Sequence, residues 1–411
     1  FIYQNMFEKS FGQSFIFAAF QTYSGNFYIT QSILEYIMEK STHTSTRVFG
    51  SQESLGIKGI AIVMLICHHC FLGPARYKGQ AVTFIIPENI WNYVALFFKI
   101  CVCIFAFISA YGITWKIKSS CHFDSAEQTQ KDFRNILLSR LIRLLTSFIL
   151  VFLLVDVFAL FYDPGRFAEI YGTSFPVCIA YFILDMLGLA QLLHTPTFLG
   201  TYWYYSLAIV IILLVPCFYL LIRKIGTVPF LGLIAVINFT VSIPNHNFWR
   251  YLLCIAVGVS CAYNNTIVKI MNWNIIKSEK CNHLIKFLLE FLLLFVLMVL
   301  RQGPLMDTLY PFWDAVIPVV FTSFCCEFIV VIPGLRQILI FLGIYSANIF
   351  IIHNYIRKVW FYDFTYSFKY PLLIVTVLLL ISLTLSICIE QIKKLIHFKT
   401  FTNLLIEKIC R

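Results

Sequence analysis

Apolar runs of membrane-spanning length recur along the whole chain, and they constrain its fold more than any motif does. About twenty consecutive apolar residues carry a helix across ~30 Å of hydrocarbon. Ten runs approach that length, at roughly 57–73, 91–113, 141–162, 203–222, 227–243, 249–264, 284–301, 314–332, 337–356 and 371–390. Unsatisfied backbone groups are excluded from lipid, so runs of this length must be helices. The expectation is an all-α polytopic membrane protein with about ten transmembrane helices in one bundle. Segment 174–193, SFPVCIAYFILDMLGLAQLL, is an eleventh candidate, but Asp185 and the nearby Gly and Pro predict a re-entrant or interfacial helix. Only 12% of the chain is charged and 60% is hydrophobic, against about 25% charged in soluble domains.

The distribution of Lys and Arg between the runs sets the orientation. If the first run crosses outward, Lys116, Lys118, Lys131, Arg134, Arg140, Arg143, Arg223, Lys224, Lys269, Lys277, Lys280 and Lys286 fall in inside connections, with Lys393, Lys394 and Lys399 in the tail. The connection 163–202 falls outside, with Asp163, Glu169 and Asp185 against Arg166. The expectation is a multi-pass protein of the plasma membrane with both termini in the cytoplasm. The formal charge of +11 follows from topology and calls for no nucleic acid.

Most of the fourteen cysteines lie inside apolar runs, where a thiol behaves as a small hydrophobe, so no disulfides are expected. The chain opens at Phe1, residues 1–37 show no cleavable-signal pattern, and Met38 is a candidate start. The expected organisation is an N-terminal segment over 1–50, a transmembrane domain over 51–395 and a cytoplasmic tail over 396–411.

Ionisable residues inside spans are costly and mark function. The stretch KGIAIVMLICHHCFLG, residues 58–73, holds two histidines between two cysteines. A metal site is disfavoured, because successive helical residues point about 100° apart and four in a row cannot converge on one ion. The bland reading has His68 and His69 bonded to backbone or to neighbouring helices. A third reading starts from Lys58, eleven residues before His69: the two project from one helix face about 16 Å apart. Such a wall suits a long anionic ligand with its charge at the mouth and its reactive end at the imidazole.

The same residues carry a resemblance. GIKGIAIVMLICHH resembles the first transmembrane helix of the acyltransferase-3 family, which has a basic residue, ten intervening residues and a histidine. VCIFAFISAYGI (102–113) is similar to the end of the family's second helix, with Ala110 in place of a glycine. RLIR (140–143) matches an Arg-x-x-Arg at the start of the third. TYWYYSLAIVIILLVP (201–216) resembles a Trp-aromatic motif followed by proline, and LGIYSANIFIIH (342–353) resembles the penultimate helix. The resemblance runs from about residue 50 to 395. Ala208 stands where many members have a glutamate, Lys58 where Arg is commonest, and no esterase domain follows residue 395.

The resemblance implies O-acylation in a bacterial cell envelope: transfer of an acyl group, usually acetyl, from cytoplasmic acyl-CoA to a hydroxyl of a carbohydrate such as an envelope polysaccharide. It implies His69 as the catalytic base and Lys58 as its partner at the mouth, with Arg140 and Arg143 binding the CoA phosphates. Arg140 and Arg143 are i,i+3 neighbours, and paired guanidiniums suit phosphates; their bland role is membrane anchoring. A neutral imidazole titrates near physiological pH, as a general base should, and a covalent acyl-imidazole is a second route.

Other residues are supporting candidates. Lys99 is placed to stabilise an oxyanion or to neutralise Glu327, with structural pairing favoured. Asp156 and Glu290 are expected in inter-helix pairing. Ser346 and His353, seven apart on one face, are expected with Gly343 at a close helix contact or along an acceptor path, His353 being a second proton carrier in one reading. Trp203, Tyr204 and Tyr205 are expected as an outer aromatic belt in preference to a sugar platform. A transporter or flippase of envelope glycolipids is the alternative function, but the sequence shows neither the duplicated halves nor the paired broken helices of such proteins. The oligomeric state leaves no trace in the sequence.

Overall fold

The structure is a computed structural model, and it describes residues 47–123, 125–241, 246–303 and 306–410. The candidate start Met38 lies outside the described residues. Residues Phe49–Arg411 form one compact unit. In chain order its helices are α1 (Ser51–Phe71), α2 (Glu88–Phe97), α3 (Cys101–Ser120), α4 (Ala126–Tyr162), α5 (Pro164–Tyr171), α6 (Phe175–Met186), α7 (Trp203–Ile225), α8 (Thr227–Thr240), α9 (His246–Trp249), α10 (Leu252–Tyr263), α11 (Thr266–Met271), α12 (Glu279–Arg301), α13 (Met306–Phe324), α14 (Leu335–Asn354), α15 (Tyr362–Tyr366), α16 (Pro371–Leu395) and α17 (Phe398–Cys410). The fold is all-α, as expected.

Among the described residues, eight helical stretches are long and apolar enough to cross a membrane, counting α2 with α3 as one. They account for eight of the ten runs. The runs 227–243 and 249–264 instead give α8 and α10, of 14 and 12 residues, only ~21 and ~18 Å long at 1.5 Å per residue. Run 249–264 is shortened because α10 begins only at Leu252, after Arg250 has turned aside to Asp314. Segment 174–193 forms α6, which meets α5 at 91°, a broken path in keeping with the re-entrant reading. Asp185 ties this region together by accepting from Tyr171 Oη (2.7 Å), Thr197 Oγ1 (2.8 Å) and Phe198 N (2.7 Å).

The outer faces of the bundle are apolar. Leu284, Leu288, Phe291, Leu292 and Phe295 on α12 are all exposed, which in water would be an aggregation liability and in a bilayer is the lipid contact. Helix ends gather at the two ends of the bundle in the pattern that alternate crossing requires. At one end Lys118 Nζ donates to Tyr263 O (2.9 Å) and Arg143 to Asn403 Oδ1 (3.1 Å). At the other, Thr83 N donates to Lys369 O (2.9 Å) and Gln80 to Asp363 Oδ1 (2.7 Å).

The contact that positions the site is between α1 and α14, which run parallel along one another. Arg336 pairs with Glu53 at 3.0 Å where they start. At the crossing, a Cβ on Gly59 would overlap the Leu339 carbonyl and one on Gly343 would overlap that of Leu55. Each glycine thus lets the other backbone approach, the small-residue packing that membrane helices use. Both helices then reach the opposite end of the bundle together.

Candidate active site

That shared course brings His69 of α1 to His353 of α14, with His69 Nδ1 2.6 Å from His353 Nε2. His353 is fully buried, whereas His69 is half-buried. The tautomers follow from the network. His353 Nδ1 lies 3.0 Å from Ile349 O, and a carbonyl only accepts, so Nδ1 carries the proton. In neutral His353, Nε2 is then an acceptor, and His69 donates to it through Nδ1. His69 Nε2 is left as a bare lone pair, the arrangement a general base or nucleophile requires.

Directly after His353 the helix widens into a π-helical stretch, Tyr355–Trp360, a local geometry frequent at functional sites. Asn354, the last residue of α14, and Arg357 flank this junction. Asn354 Oδ1 accepts from Arg357 Nε at 2.9 Å, which fixes the amide and leaves its Nδ2 3.3 Å from His69 Nδ1; both nitrogens carry protons, so this is a packing contact and not a hydrogen bond. Tyr366 Oη donates to Cys70 O at 3.0 Å, just beyond His69. Sequence reasoning missed Asn354 and Arg357. Their signal was present in the polar HNYIRK after the last family motif, at the point where an apolar run should still continue.

His68 is turned away, its Nδ1 donating to Ala95 O of α2 at 2.7 Å. The bland reading holds for it. Among the described residues no three His, Cys, Asp or Glu side chains converge as metal ligands, and all fourteen cysteines are free thiols.

Lys58 lies near the start of α1, half-buried, and Arg140 of α4 is the charge that acts on it. Arg143, one turn along α4 from Arg140, is exposed and donates to Asn403 of α17. Among the described residues no carboxylate pairs with Lys58, Arg140 or Arg143. The three form a cationic mouth at the end of the bundle opposite the histidine pair, ~16 Å along α1 from His69.

Other expectations change. Lys99 does not neutralise Glu327, which pairs with Lys286 at 2.6 Å. Lys99 faces the Tyr310 ring, beside a cluster built on Arg301. Arg301 and Lys286 are fifteen residues apart on α12, ~22 Å along the axis, so the two sites lie near opposite ends of the helix. In the Arg301 cluster, Asp314 bridges Arg250 Nε and Arg301 Nε, both at 2.9 Å, and Arg301 also donates to Tyr310 Oη. These residues sit at the ends of apolar runs, where the sequence reading took them for boundaries.

The aromatic belt is also corrected. Trp203 stacks on Tyr251 (5.9 Å), Tyr204 contacts Phe350 (5.2 Å) and Tyr205 stacks on Phe148 (4.0 Å). The cluster packs between helices instead of facing the bilayer surface, because α4, α14 and Tyr251 at the N-cap of α10 all present rings to it. Ser346 is buried and donates to Gly343 O within α14 at 2.8 Å. It belongs to the close α1–α14 contact, ~10 Å along the helix from His353. Asp156 and Glu290 are in inter-helix bonds, Asp156 from Tyr355 Oη (2.8 Å) and Glu290 from Ser323 (3.2 Å). Tyr355 continues to Tyr202 Oη at 2.5 Å.

No curated protein and no solved structure matches the chain. The family model of the acyltransferase-3 domain, described as an acyltransferase domain, matches residues 55–391, a span that holds Lys58, His69, Arg140, Arg143 and His353. The chain therefore belongs to the acyltransferase-3 family and is a multi-pass membrane acyltransferase.

Proposed function

We propose that the protein transfers an acyl group, acetyl in the first instance, from cytoplasmic acyl-CoA to a hydroxyl of a cell-envelope or exported carbohydrate. The observation that carries this reading is the His69–His353 pair, whose hydrogen bonds leave the Nε2 lone pair of half-buried His69 unprotonated. His69 Nε2 takes the proton of the acceptor hydroxyl while that oxygen attacks the thioester carbonyl. Collapse of the tetrahedral intermediate breaks the C–S bond, and the CoA thiolate leaves with the proton returned from His69. His353 holds the ring and shares the transient positive charge through the Nδ1 hydrogen bond, the part that the third group of a triad plays.

The donor site in this reading is the mouth formed by Lys58, Arg140 and Arg143. Three cations without carboxylate partners suit the phosphates of CoA, and ~16 Å of α1 separates them from His69, a span for the extended arm of the donor. The mouth faces the cytoplasm in the plasma membrane, and residues 51–395 form the catalytic domain. The test is transfer of radiolabel from acetyl-CoA by purified protein to envelope carbohydrate. A transporter would leave acetyl-CoA unconsumed, and that result would remove the proposal.

A further inference from the structure

At the end of the bundle where His69 lies, positive charge is gathered without enough negative charge to balance it. Arg357 is 2% exposed, and burying an unpaired guanidinium is strongly unfavourable. Among the described residues no carboxylate comes within ion-pair distance of it, or of Arg76, Arg166 or Lys358. Lys358 lies within electrostatic reach of Arg357, Arg76 and Arg166 together, and Arg357 and Arg76 both act on His69. Arg76 lies in the connection after α1, where burial and then the Arg357 charge lower its pKa. Arg166 Nε is buried with no hydrogen-bond partner. Carboxylates at this end are engaged elsewhere: Asp163 accepts from the backbone N–H of Arg166 (3.3 Å), Asp363 from Gln80 (2.7 Å) and Glu88 from Tyr77 Oη (2.6 Å).

We infer that this cluster binds a phosphate group carried by the acceptor, so that the sugar acylated at His69 is a glycosyl phosphate. The inference rests on the acyl-transfer reading above and names its acceptor class. Geometry links the cluster to the chemistry, since Arg357 reaches His69 through the single residue Asn354. Four cations with no carboxylate at ion-pair distance suit a ligand of more than one negative charge, as a phosphate dianion is. A transient oxyanion carries one charge and would be served by Arg357 alone. The donor phosphates are already served by Lys58, Arg140 and Arg143 at the other end of α1.

The experiment measures equilibrium binding of glucose 1-phosphate and of neutral methyl glucoside to the full-length protein in phosphatidylcholine nanodiscs at constant ionic strength. Glucose 1-phosphate is expected to bind at least about tenfold more tightly than methyl glucoside, because charge-assisted bonds to phosphate are the strong ones. Arg76→Gln, at a half-buried position in the connection after α1, should erase most of that difference, and Arg76→Lys should restore part of it. Equal affinity for the two sugars overturns the proposal. So does loss of glucose 1-phosphate binding in Arg140→Gln with none in Arg76→Gln, since the phosphate would then occupy the donor mouth. In discs containing phosphatidylglycerol, binding should persist; abolition by the lipid in wild type would assign the cluster to lipid headgroups and overturn the glycan source. The readout is binding, so the two readings fail separately. Phosphate-dependent binding without acetyl transfer to any sugar keeps the cluster and removes the acyl-transfer chemistry.

Discussion

His69 Nδ1 lies 2.6 Å from His353 Nε2, and the proton order of that pair is set from outside it, by the carbonyl of Ile349 3.0 Å from His353 Nδ1. The carbonyl cannot donate, so the pair has one neutral arrangement, with its free lone pair on the more accessible ring. A histidine pair without such an anchor would exchange tautomers and present a base only part of the time.

Substitution at each histidine separates their roles. His69→Ala should abolish transfer with membrane expression and CoA binding near normal. His353→Phe keeps a ring but removes the acceptor of His69 Nδ1, and kcat should fall by about 10²-fold with little change in KM for acyl-CoA. His68→Ala should be mild, since His68 bonds to Ala95 O on the other side of α1. Steady-state kinetics on the three variants check the assignment; an active His69→Ala protein would refute it.

The cationic mouth should behave as a binding element. Contacts made equally in ground and transition states lower affinity without changing the chemical rate. Arg140→Ala is therefore expected to raise KM for acyl-CoA about tenfold or more with kcat held within a few-fold, and Arg140→Lys to recover only part, because the guanidinium fork is lost. Arg143→Ala should have the smaller effect, as Arg143 also engages Asn403 of α17. Variants that bind acyl-CoA normally but insert poorly would assign the pair to membrane anchoring.

Asp314 predicts a stability effect of another kind. Its carboxylate bridges Arg250 and Arg301, and Asp314 and Arg301 are both fully buried. Asp314→Asn leaves two guanidiniums without a counter-ion, and breaking a buried pair on one side costs about 3–5 kcal/mol. Unfolding in detergent should show a loss of that size. The double variant Asp314→Asn with Arg301→Met should be less destabilised than Asp314→Asn alone, since it also removes one uncompensated charge.

What the sequence revealed and what it hid follow from how far each signal reaches along the chain. Spans are local, so run length and apolarity gave most of the helices. Two of them, α8 and α10, are shorter than their runs, and α10 starts only past Arg250, which leaves its run for a partner sixty-four residues away. Lys58 and His69 are eleven apart on one helix, so helical geometry alone relates them. His69 and His353 are separated by 284 residues, and no periodicity connects them. Their meeting depends on Gly59 and Gly343 admitting two backbones to contact, which a sequence shows only as two small residues. The Trp203 cluster misled for the same reason, since aromatic rings at the end of a run look alike whether lipid or other helices surround them.

Sidedness tests the whole arrangement. In the proposed reaction the donor comes from the cytoplasm and the acceptor is lipid-linked or already outside, so the two must meet within the membrane plane. Lys58, Arg140 and Arg143 mark one end of the bundle, and His69, Arg76 and Arg357 the other. In the proposed reaction acyl-CoA held at the first end extends its thioester toward the second. The measurement is cysteine-reagent accessibility in intact cells, on a protein whose native thiols have been replaced. Tyr204 is half-buried among rings and is a poor reporter, whereas Arg143 and Lys369 are both exposed at opposite ends of the bundle. A cysteine in place of Arg143 should react only with permeant reagents and be protected by acyl-CoA. One in place of Lys369 should react with impermeant reagents from outside and be indifferent to acyl-CoA, because Lys369 lies in the connection before α16, bonded through its carbonyl to Thr83. Labelling of both from one side would overturn the orientation, and with it a mechanism in which donor and acceptor approach His69 from opposite faces.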